Sequence, residues 1–227
     1  MKNTNTLVLF FLLLTSASYG QIHYKVKAGG SLASVAFDDG SNNLLPNGTF
    51  KYGSKTGFLV GVAAAISFGG DRFSLQPELL FHQKGYSFDY FEPDSHNSAS
   101  YKTTLNYIDI PVMARATFGN FYFSAGPYFA FGVGGKYKGS DTYGAVTQER
   151  EGKVKFGNRP SGYTGTNSYV NAFDVGLAAD AGVKIKAFAI GLRYGFGFID
   201  LNEKGSIFSL HNRSLQLSVE FPLLFEK

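Results

Sequence analysis

Residues 188–198 alternate strictly between large apolar side chains and small or charged ones. The even positions carry Phe, Ile, Leu and Tyr, whereas the odd positions carry Ala, Gly and a single Arg. A period of two predicts a β-strand with two unlike faces. The wet face of a soluble sheet usually carries residues such as Thr. Glycines around one cation instead suit a cramped polar interior, with the apolar face turned to lipid.

The same alternation predicts eight strands along the chain, all but the last of about 11 to 14 residues. A tilted membrane-spanning strand needs roughly 9–11 residues, whereas soluble strands more often have about 5–6. Because lipid cannot satisfy an open sheet edge, embedded strands must close into a barrel. The predicted strands cover residues 24–36, 58–68, 73–84, 107–118, 121–133, 173–185, 188–198 and 214–221.

The connections between these strands alternate between short and long. The short ones are residues 69–72, 119–120 and 186–187, and the long ones are about 37–56, 88–102, 136–170 and 200–213. This alternation is typical of outer-membrane barrels, which have short periplasmic turns and long extracellular loops. The pattern predicts an all-β fold, an eight-stranded antiparallel up-and-down transmembrane β-barrel with both termini periplasmic. Aromatic residues beside the short turns suggest an interfacial girdle: Phe68, Phe73, Phe118, Phe121 and Phe188.

The first 20 residues have the three parts of a secretory signal peptide. A polar start with Lys2 precedes an apolar run over 7–14, and small residues follow up to Gly20. An apolar run of this length is too short to span a bilayer as a helix. We therefore expect residues 1–20 to be a signal peptide and residues 21–227 to be the barrel domain in the outer membrane of a Gram-negative bacterium.

Charge and composition exclude several function classes. Loss of residues 1–20, with Lys2 as their one charge, lowers the net charge from +4 to +3, which argues against general nucleic-acid binding. The chain has no Cys, and its four His are too scattered for a metal motif. A hydrolytic triad of Asp200, Ser209 and His211 is an alternative, but such loop residues are more often turn formers. We expect no catalytic, cofactor or metal site.

Charged residues also recur at the predicted inward positions. Charges removed from water must pair, because desolvation of each costs several kcal/mol. An eight-stranded barrel leaves only enough room for side chains. The sequence therefore predicts a salt-bridged plug, with a proton or ion path as the alternative. The predicted network comprises Lys25, Lys27, Glu78, Lys84, Asp109, Arg115, Asp174, Asp180, Lys184, Arg193 and Glu220.

The longest predicted loop, residues 136–170, combines basic and aromatic side chains. Such a combination suits the phosphates of lipopolysaccharide or a protein partner at the cell surface. A solvated, disordered, glycine-rich loop is the alternative interpretation. The candidate partner-binding residues are Lys136, Lys138, Arg150, Lys153, Lys155 and Arg159.

Several stretches resemble the PorT-like outer-membrane β-barrel family of Bacteroidetes-type bacteria. The resemblance rests on residues 24–30, 73–81, 105–112, 123–128 and 173–183, and it covers essentially all of residues 21–227. It implies an eight-stranded barrel and, for the founding member, a role in protein secretion. A departure from the usual barrel ending is that Phe225 is followed by Glu226 and Lys227.

Two function classes follow from the sequence. The first is a non-catalytic structural or interaction protein of the cell envelope, with outer-membrane lipid, lipopolysaccharide and an envelope protein as partners. The second is a small transport or ligand-binding barrel. A weaker alternative is a soluble exported, lipocalin-like binder with its apolar face inward.

Overall fold

The computed structural model describes residues 22–38, 49–68, 72–202 and 208–223. The proposed signal peptide lies outside these residues. No helix in the described part of the chain is long and apolar enough to cross a membrane. The strands are β1 (Ile22–Asp38), β2 (Thr49–Phe68), β3 (Phe73–Glu92), β4 (Asn97–Phe118), β5 (Phe121–Tyr143), β6 (Val146–Phe156), β7 (Ser168–Val170), β8 (Phe173–Ile185), β9 (Phe188–Asp200) and β10 (Ser209–Pro222).

Eight of these ten described strands form a closed antiparallel ring, in the order β1, β2, β3, β4, β5, β8, β9 and β10. The ring closes between β1 and β10, which pair from Lys25 opposite Pro222 to Asp38 opposite Ser209. Closure removes the unpaired sheet edges. The all-β, mostly antiparallel fold is therefore confirmed, with β6 and β7 as additions to the ring.

Short turns join the ring strands at one end. Residues 119–120 connect β4 to β5, and residues 186–187 connect β8 to β9, as predicted. Gly119 has φ +58°, a backbone conformation that favours glycine, and Lys186 adopts a similar φ of +52°. The third predicted turn lies mostly outside the described residues.

The prediction of long loops over residues 88–102 and 136–170 is wrong. β3 continues to Glu92 and β4 begins at Asn97, while β5 continues to Tyr143. Cross-strand aromatic pairs extend the sheet beyond the predicted strand ends. The rings of Tyr52 and Phe88, for example, lie 5.3 Å apart. The two other predicted long connections lie partly outside the described residues.

Residues 136–170, which were predicted to form a loop, instead contain the end of β5 and the strands β6 and β7. Residues 135–143 of β5 pair with β6, whereas residues 121–131 of β5 pair with β8. The change of partner falls at Gly132, Gly134 and Gly135. Val133 is an extra residue there, because Tyr107 pairs with Gly132 and Asn106 with Gly134. This β-bulge reverses which alternate positions of β5 face outward.

The outside of the ring is apolar and its inside is polar. Along β10, Leu215 and Leu217 are exposed, whereas Gln216 and Ser218 are buried. Exposed apolar side chains occur on all eight ring strands and form what we call the apolar belt. Of the aromatic residues beside the short turns, Phe68, Phe73, Phe118 and Phe121 are exposed, and Phe188 is half-buried. The interpretation with the apolar face inward is therefore wrong.

Candidate functional site

The narrow interior contains a layer of six charged side chains and one amide, contributed by six strands. Strict alternation turns these side chains inward, between lipid-facing positions of the apolar belt. Each of them is almost fully buried. We call this set the ionic layer: Lys27 on β1, Gln76 and Glu78 on β3, Arg115 on β4, Asp180 on β8, Arg193 on β9 and Glu220 on β10.

Arg193 is at the centre of the ionic layer. Its Nη1 and Nη2 atoms donate to the two carboxylate oxygens of Glu78, each at 2.8 Å. Its Nε and Nη2 atoms donate to Oδ2 of Asp180 at 2.9 and 2.7 Å. A guanidinium matches a carboxylate by such parallel bonds. One cation therefore satisfies two carboxylates that lie far from water.

Glu220 is the second acceptor in the ionic layer. Arg115 donates to both of its carboxylate oxygens at 2.8 Å. Lys27 lies between the two halves, with its Nζ 3.5 Å from Glu78 and 3.4 Å from Glu220. The amide of Gln76 donates to the same two carboxylates. The layer is therefore one connected network, and loss of a charged member leaves its buried partners with fewer compensating groups.

The end with the short turns opens into a cavity of about 290 Å³, which Lys25 and Lys184 line. Lys25 donates to Gln76 and to Glu220, at 2.9 and 3.3 Å. Its side chain extends the network to the edge of this cavity. Lys184 lies at the same level, beside Arg115 and Glu220.

Above the ionic layer, towards β6, the polar groups interleave with aromatic rings. Asp109 contacts Nδ1 of His82 at 2.8 Å and Nζ of Lys84 at 3.2 Å. The Lys84 ammonium also lies 4.8 Å from the ring centroids of Tyr107 and Tyr128. This arrangement compensates a buried cation by a carboxylate and by two π-faces.

Asp174 has neutral hydrogen-bond donors as its described partners. Tyr128 donates to its Oδ2 at 3.1 Å, and Asn212 donates to the same atom at 2.9 Å. A cavity of about 10 Å³ is lined by Tyr128, Asp109 and Arg193. That volume is about enough for one water molecule. The interior is therefore packed from the ionic layer upward.

A second, apolar layer closes the wider end of the ring. Val154 and Phe156 of β6 and Val170 of β7 pack against interior residues that include Tyr107. The rings of Phe156 and Tyr107 meet edge to face at 5.3 Å. At Gly132 a Cβ atom would lie 2.1 Å from the Phe156 ring, so only glycine leaves room for it. We call β6, β7 and the residues between them the cap.

Outside the cap lies a cup of about 870 Å³, open at the end away from the short turns. Within it, Arg150 donates to Asp141 at 2.6 Å, and the Tyr101 hydroxyl donates to the same carboxylate at 2.5 Å. The carboxylate of Asp141 raises the pKa of the Arg150 guanidinium above its ordinary value, because it accepts that hydrogen bond. The aromatic lining comprises Tyr52, Tyr86, Phe88, Tyr101, Tyr137 and Phe208.

The six basic residues of the predicted partner-binding loop do not form one group. Arg150 and Arg159 line the cup. The remaining four, on β5 and β6, line a separate cleft of about 930 Å³ together with Lys102 of β4. These four are Lys136, Lys138, Lys153 and Lys155.

The predicted interior network omitted several neutral partners. Gln76, Tyr128 and Asn212 each hold a charged group in place, and Tyr122 places its ring 3.9 Å from the Arg115 guanidinium. His82 was omitted as well. All of these residues occupy the same inward alternate positions as the charged ones, so the alternation itself was the signal that would have found them.

The carboxylate of Asp200, one of the proposed hydrolytic residues, has other partners. It accepts hydrogen bonds from the backbone N–H groups of Asn202 and Leu210. His211 is the cross-strand neighbour of Asp200, but within the described ranges no side-chain hydrogen bond joins Asp200 to Ser209 or His211. A cluster of three or more potential metal ligands is also absent from the part of the chain that the structure describes. The non-catalytic assignment stays a prediction.

Comparison with solved structures gives distant matches among outer-membrane proteins. Neisserial surface protein A is 12% identical, with 88% of this chain and 97% of that chain covered and a TM-score of 0.37. OprG from Pseudomonas aeruginosa is 10% identical, with coverage of 91% and 98% and a TM-score of 0.37. An outer membrane channel from Pseudomonas putida F1 is 9% identical, with coverage of 89% and 95% and a TM-score of 0.32.

No match was found among curated proteins. The model of a family described as outer membrane protein beta-barrel domain matches residues 15–203. This range covers most of the chain and nine of the ten described strands. The chain therefore belongs to the outer membrane protein beta-barrel domain family, and its location is the outer membrane.

Proposed function

We propose that this protein is a non-catalytic, non-conducting barrel that serves as a structural or interaction protein of a Gram-negative envelope. The ionic layer is the observation that carries this proposal. A solute on the barrel axis would have to displace Arg193 from Glu78 and Asp180. Separating these groups exposes uncompensated charges in a low-dielectric interior, at a cost of several kcal/mol.

The proposed orientation places the short turns and both termini in the periplasm and the cap outside the cell. The short turns at 119–120 and 186–187 support it, since periplasmic turns of bacterial barrels are short. The ring strands would cross the membrane through the apolar belt. The proposal includes a PorT-like role in an envelope or secretion complex, with an envelope protein bound at the extracellular end.

A ligand-binding barrel is the second candidate, and the cup favours it. Tyr and Phe side chains on its wall offer apolar faces, while Thr103, Asn167 and Asn202 offer hydrogen-bonding groups. Pockets that bind small molecules commonly combine these two features. The ligand would bind above the cap without passing through the ring.

Conductance in a planar lipid bilayer tests the proposal. We expect the purified full chain to insert and to show no steady current. The control is the same chain with the cap weakened by Phe156→Ala, which leaves the ionic layer in place. We expect this variant to be closed as well, because the ionic layer is sufficient to block the ring. A steady current of porin size from the unaltered protein would contradict the proposed function.

A further inference from the structure

Lysine residues on the outer side of the wall, next to the cap, form a compact set. On β4, Lys102 occupies the same alternate positions as the lipid-facing residues Ile108 and Ile110. The β-bulge at Val133 brings Lys136 and Lys138 of β5 to the same side. Lys153 of β6 joins them as the cross-strand partner of Lys136. We call Lys102, Lys136, Lys138 and Lys153 the lysine face.

The register places like charges directly opposite each other on this face. Lys102 pairs with Lys138 across β4 and β5, and Lys136 pairs with Lys153 across β5 and β6. Directly opposite residues have Cβ atoms roughly 4.5–5.5 Å apart, and like charges at such positions destabilise a sheet.

Carboxylates do not neutralise the lysine face. In the described part of the chain, no ion pair joins any of its four residues to Asp or Glu. Glu151 lies opposite Lys138 in the register, yet it forms no ion pair there. By contrast, Arg150 on the other side of the same hairpin is paired with Asp141. Glu151 lines the same cleft as these four lysines, so the face keeps an excess of positive charge that one carboxylate does not balance.

The position of the lysine face indicates where those anions come from. Val133 is 56% exposed and is the last exposed large apolar side chain of β5 before Lys136. Lys136 follows three residues later, which is about 10 Å along a strand. Lysine side chains at such a level extend their ammonium groups into the headgroup region while their methylene groups remain along apolar surface. Lipid headgroups are therefore the external anions at the level of this face.

We propose that the lysine face binds the phosphate groups of a phosphorylated glycolipid, lipopolysaccharide, in the outer leaflet. This inference rests on the proposed function, because only the extracellular orientation of the cap brings the face to that leaflet. Ammonium–phosphate contacts are charge-assisted hydrogen bonds, and they relieve the repulsion between the paired lysines. The lysine face thus fixes the rotation of the barrel against its lipid neighbours.

Binding of lipopolysaccharide to the full chain in phosphatidylcholine nanodiscs tests this proposal. The test variant is Lys102→Gln/Lys138→Gln, which removes one cross-strand pair. The control is Arg72→Gln/Lys186→Gln, which removes two exposed charges beside the short turns. We expect about tenfold weaker binding for the test variant and unchanged binding for the control. Equal binding by both variants would overturn the proposal.

Two further arms identify the ligand chemistry. Lipopolysaccharide with its phosphates removed should bind the unaltered protein and the test variant equally weakly. Millimolar inorganic phosphate should not compete, because a single small anion lacks the anchoring of a lipid. Competition at micromolar phosphate would make this a free-anion site and would overturn the lipid proposal. Heat-modifiable gel mobility checks that each variant is folded.

Cysteine labelling separates this proposal from the proposed orientation. The chain has no Cys, so Val146→Cys gives a single label site on β6 and Lys186→Cys gives one at the opposite end. A membrane-impermeant maleimide on intact cells should label the first and not the second. The reverse result would overturn the orientation and, with it, the outer-leaflet proposal. Correct labelling together with unaltered binding by the test variant would overturn the lysine face alone.

Discussion

The wall of this protein distributes charge in opposite ways along its length. Near the short turns, cations and carboxylates point inward and apolar side chains point outward. Beyond the change of partner at Gly132–Gly135, aromatic rings line the inside and the lysine face lies outside. The same strands, β4 and β5, pass through both regions. The contrast shows that the surroundings of the wall, rather than the strands themselves, decide which face carries charge.

The two regions also differ in how their charges are satisfied. In the ionic layer, Arg193 and Arg115 each make paired bonds of 2.7 to 2.9 Å to carboxylates. On the lysine face, neighbouring cations have no described ion pair. Around Arg193 the cavity is only about 10 Å³, so water has little room to replace a missing partner. Outside the apolar belt, water and lipid headgroups can take the place of a missing partner. The protein therefore tolerates like charges there.

Loss of Arg193 should have the largest effect on stability. Arg193→Ala leaves Glu78 and Asp180 buried without their main partner, and we expect it to cost about 3–5 kcal/mol. Urea titration of folding into lipid vesicles measures this loss. The matched control, Arg150→Ala, removes an ion pair that is exposed to water, and should leave the urea midpoint unchanged. Equal midpoints for both variants would contradict the contrast between the two regions.

The second largest effect should come from a charge on the apolar belt. Leu217 and Val146 have nearly equal exposure, 59% and 58%, but Leu217 lies in the belt and Val146 lies on β6. We expect Leu217→Arg to cost about 2–4 kcal/mol, as for an arginine facing lipid near the bilayer midplane. Val146→Arg should cost almost nothing, because it faces water. Similar losses in the same vesicle titration would mean that the belt does not face lipid.

The region near the short turns was predictable because one rule governs it. Alternation with a period of two placed Glu78, Arg115 and Glu220 inward, and the structure brings them together. Turn residues such as Gly119 and Asn120 predicted the end of β4 and the start of β5 correctly. In a narrow ring that is enclosed by lipid, each side chain faces either the polar interior or the lipid. The alternation of polar and apolar residues is therefore sufficient to predict which way it faces.

The cap and the lysine face were not predictable by that rule. The bulge at Val133 reverses the alternation of β5. The glycines beside it, at 132, 134 and 135, are as typical of a loop as of a bulge. The pairing of β6 with β5 brings together Lys136 and Lys153, which local sequence does not connect. Where both faces of the sheet contact water, both tolerate polar residues. The sequence then shows little difference in polarity between the two faces. A glycine-rich stretch was therefore interpreted as a loop.

Loss of Phe156 should have a smaller effect. Its ring fills the space above Gly132 and packs against Tyr107. We expect Phe156→Ala to cost about 2 kcal/mol, less than the 3–5 kcal/mol of a fully enclosed phenylalanine, because the ring is only partly buried. Gly132→Ala should produce a similar loss by pushing the ring out of place. An unchanged urea midpoint for both variants would show that the cap is not packed onto the ring.

The smallest effect should be a gain in stability on the lysine face. Lys102→Glu replaces a like-charge pair with Lys138 by an opposite-charge pair, and its other cross-strand partner, Ser87, is uncharged. Cross-strand pairs contribute roughly 0.2–1 kcal/mol. In lipid without lipopolysaccharide, we expect Lys102→Glu to be more stable than the unaltered protein, with Lys102→Gln intermediate. Both variants should bind lipopolysaccharide more weakly. If the lysines served only packing, both variants would be less stable than the unaltered protein. If the lysines bind an anion, both variants should be more stable while their affinity for lipopolysaccharide falls.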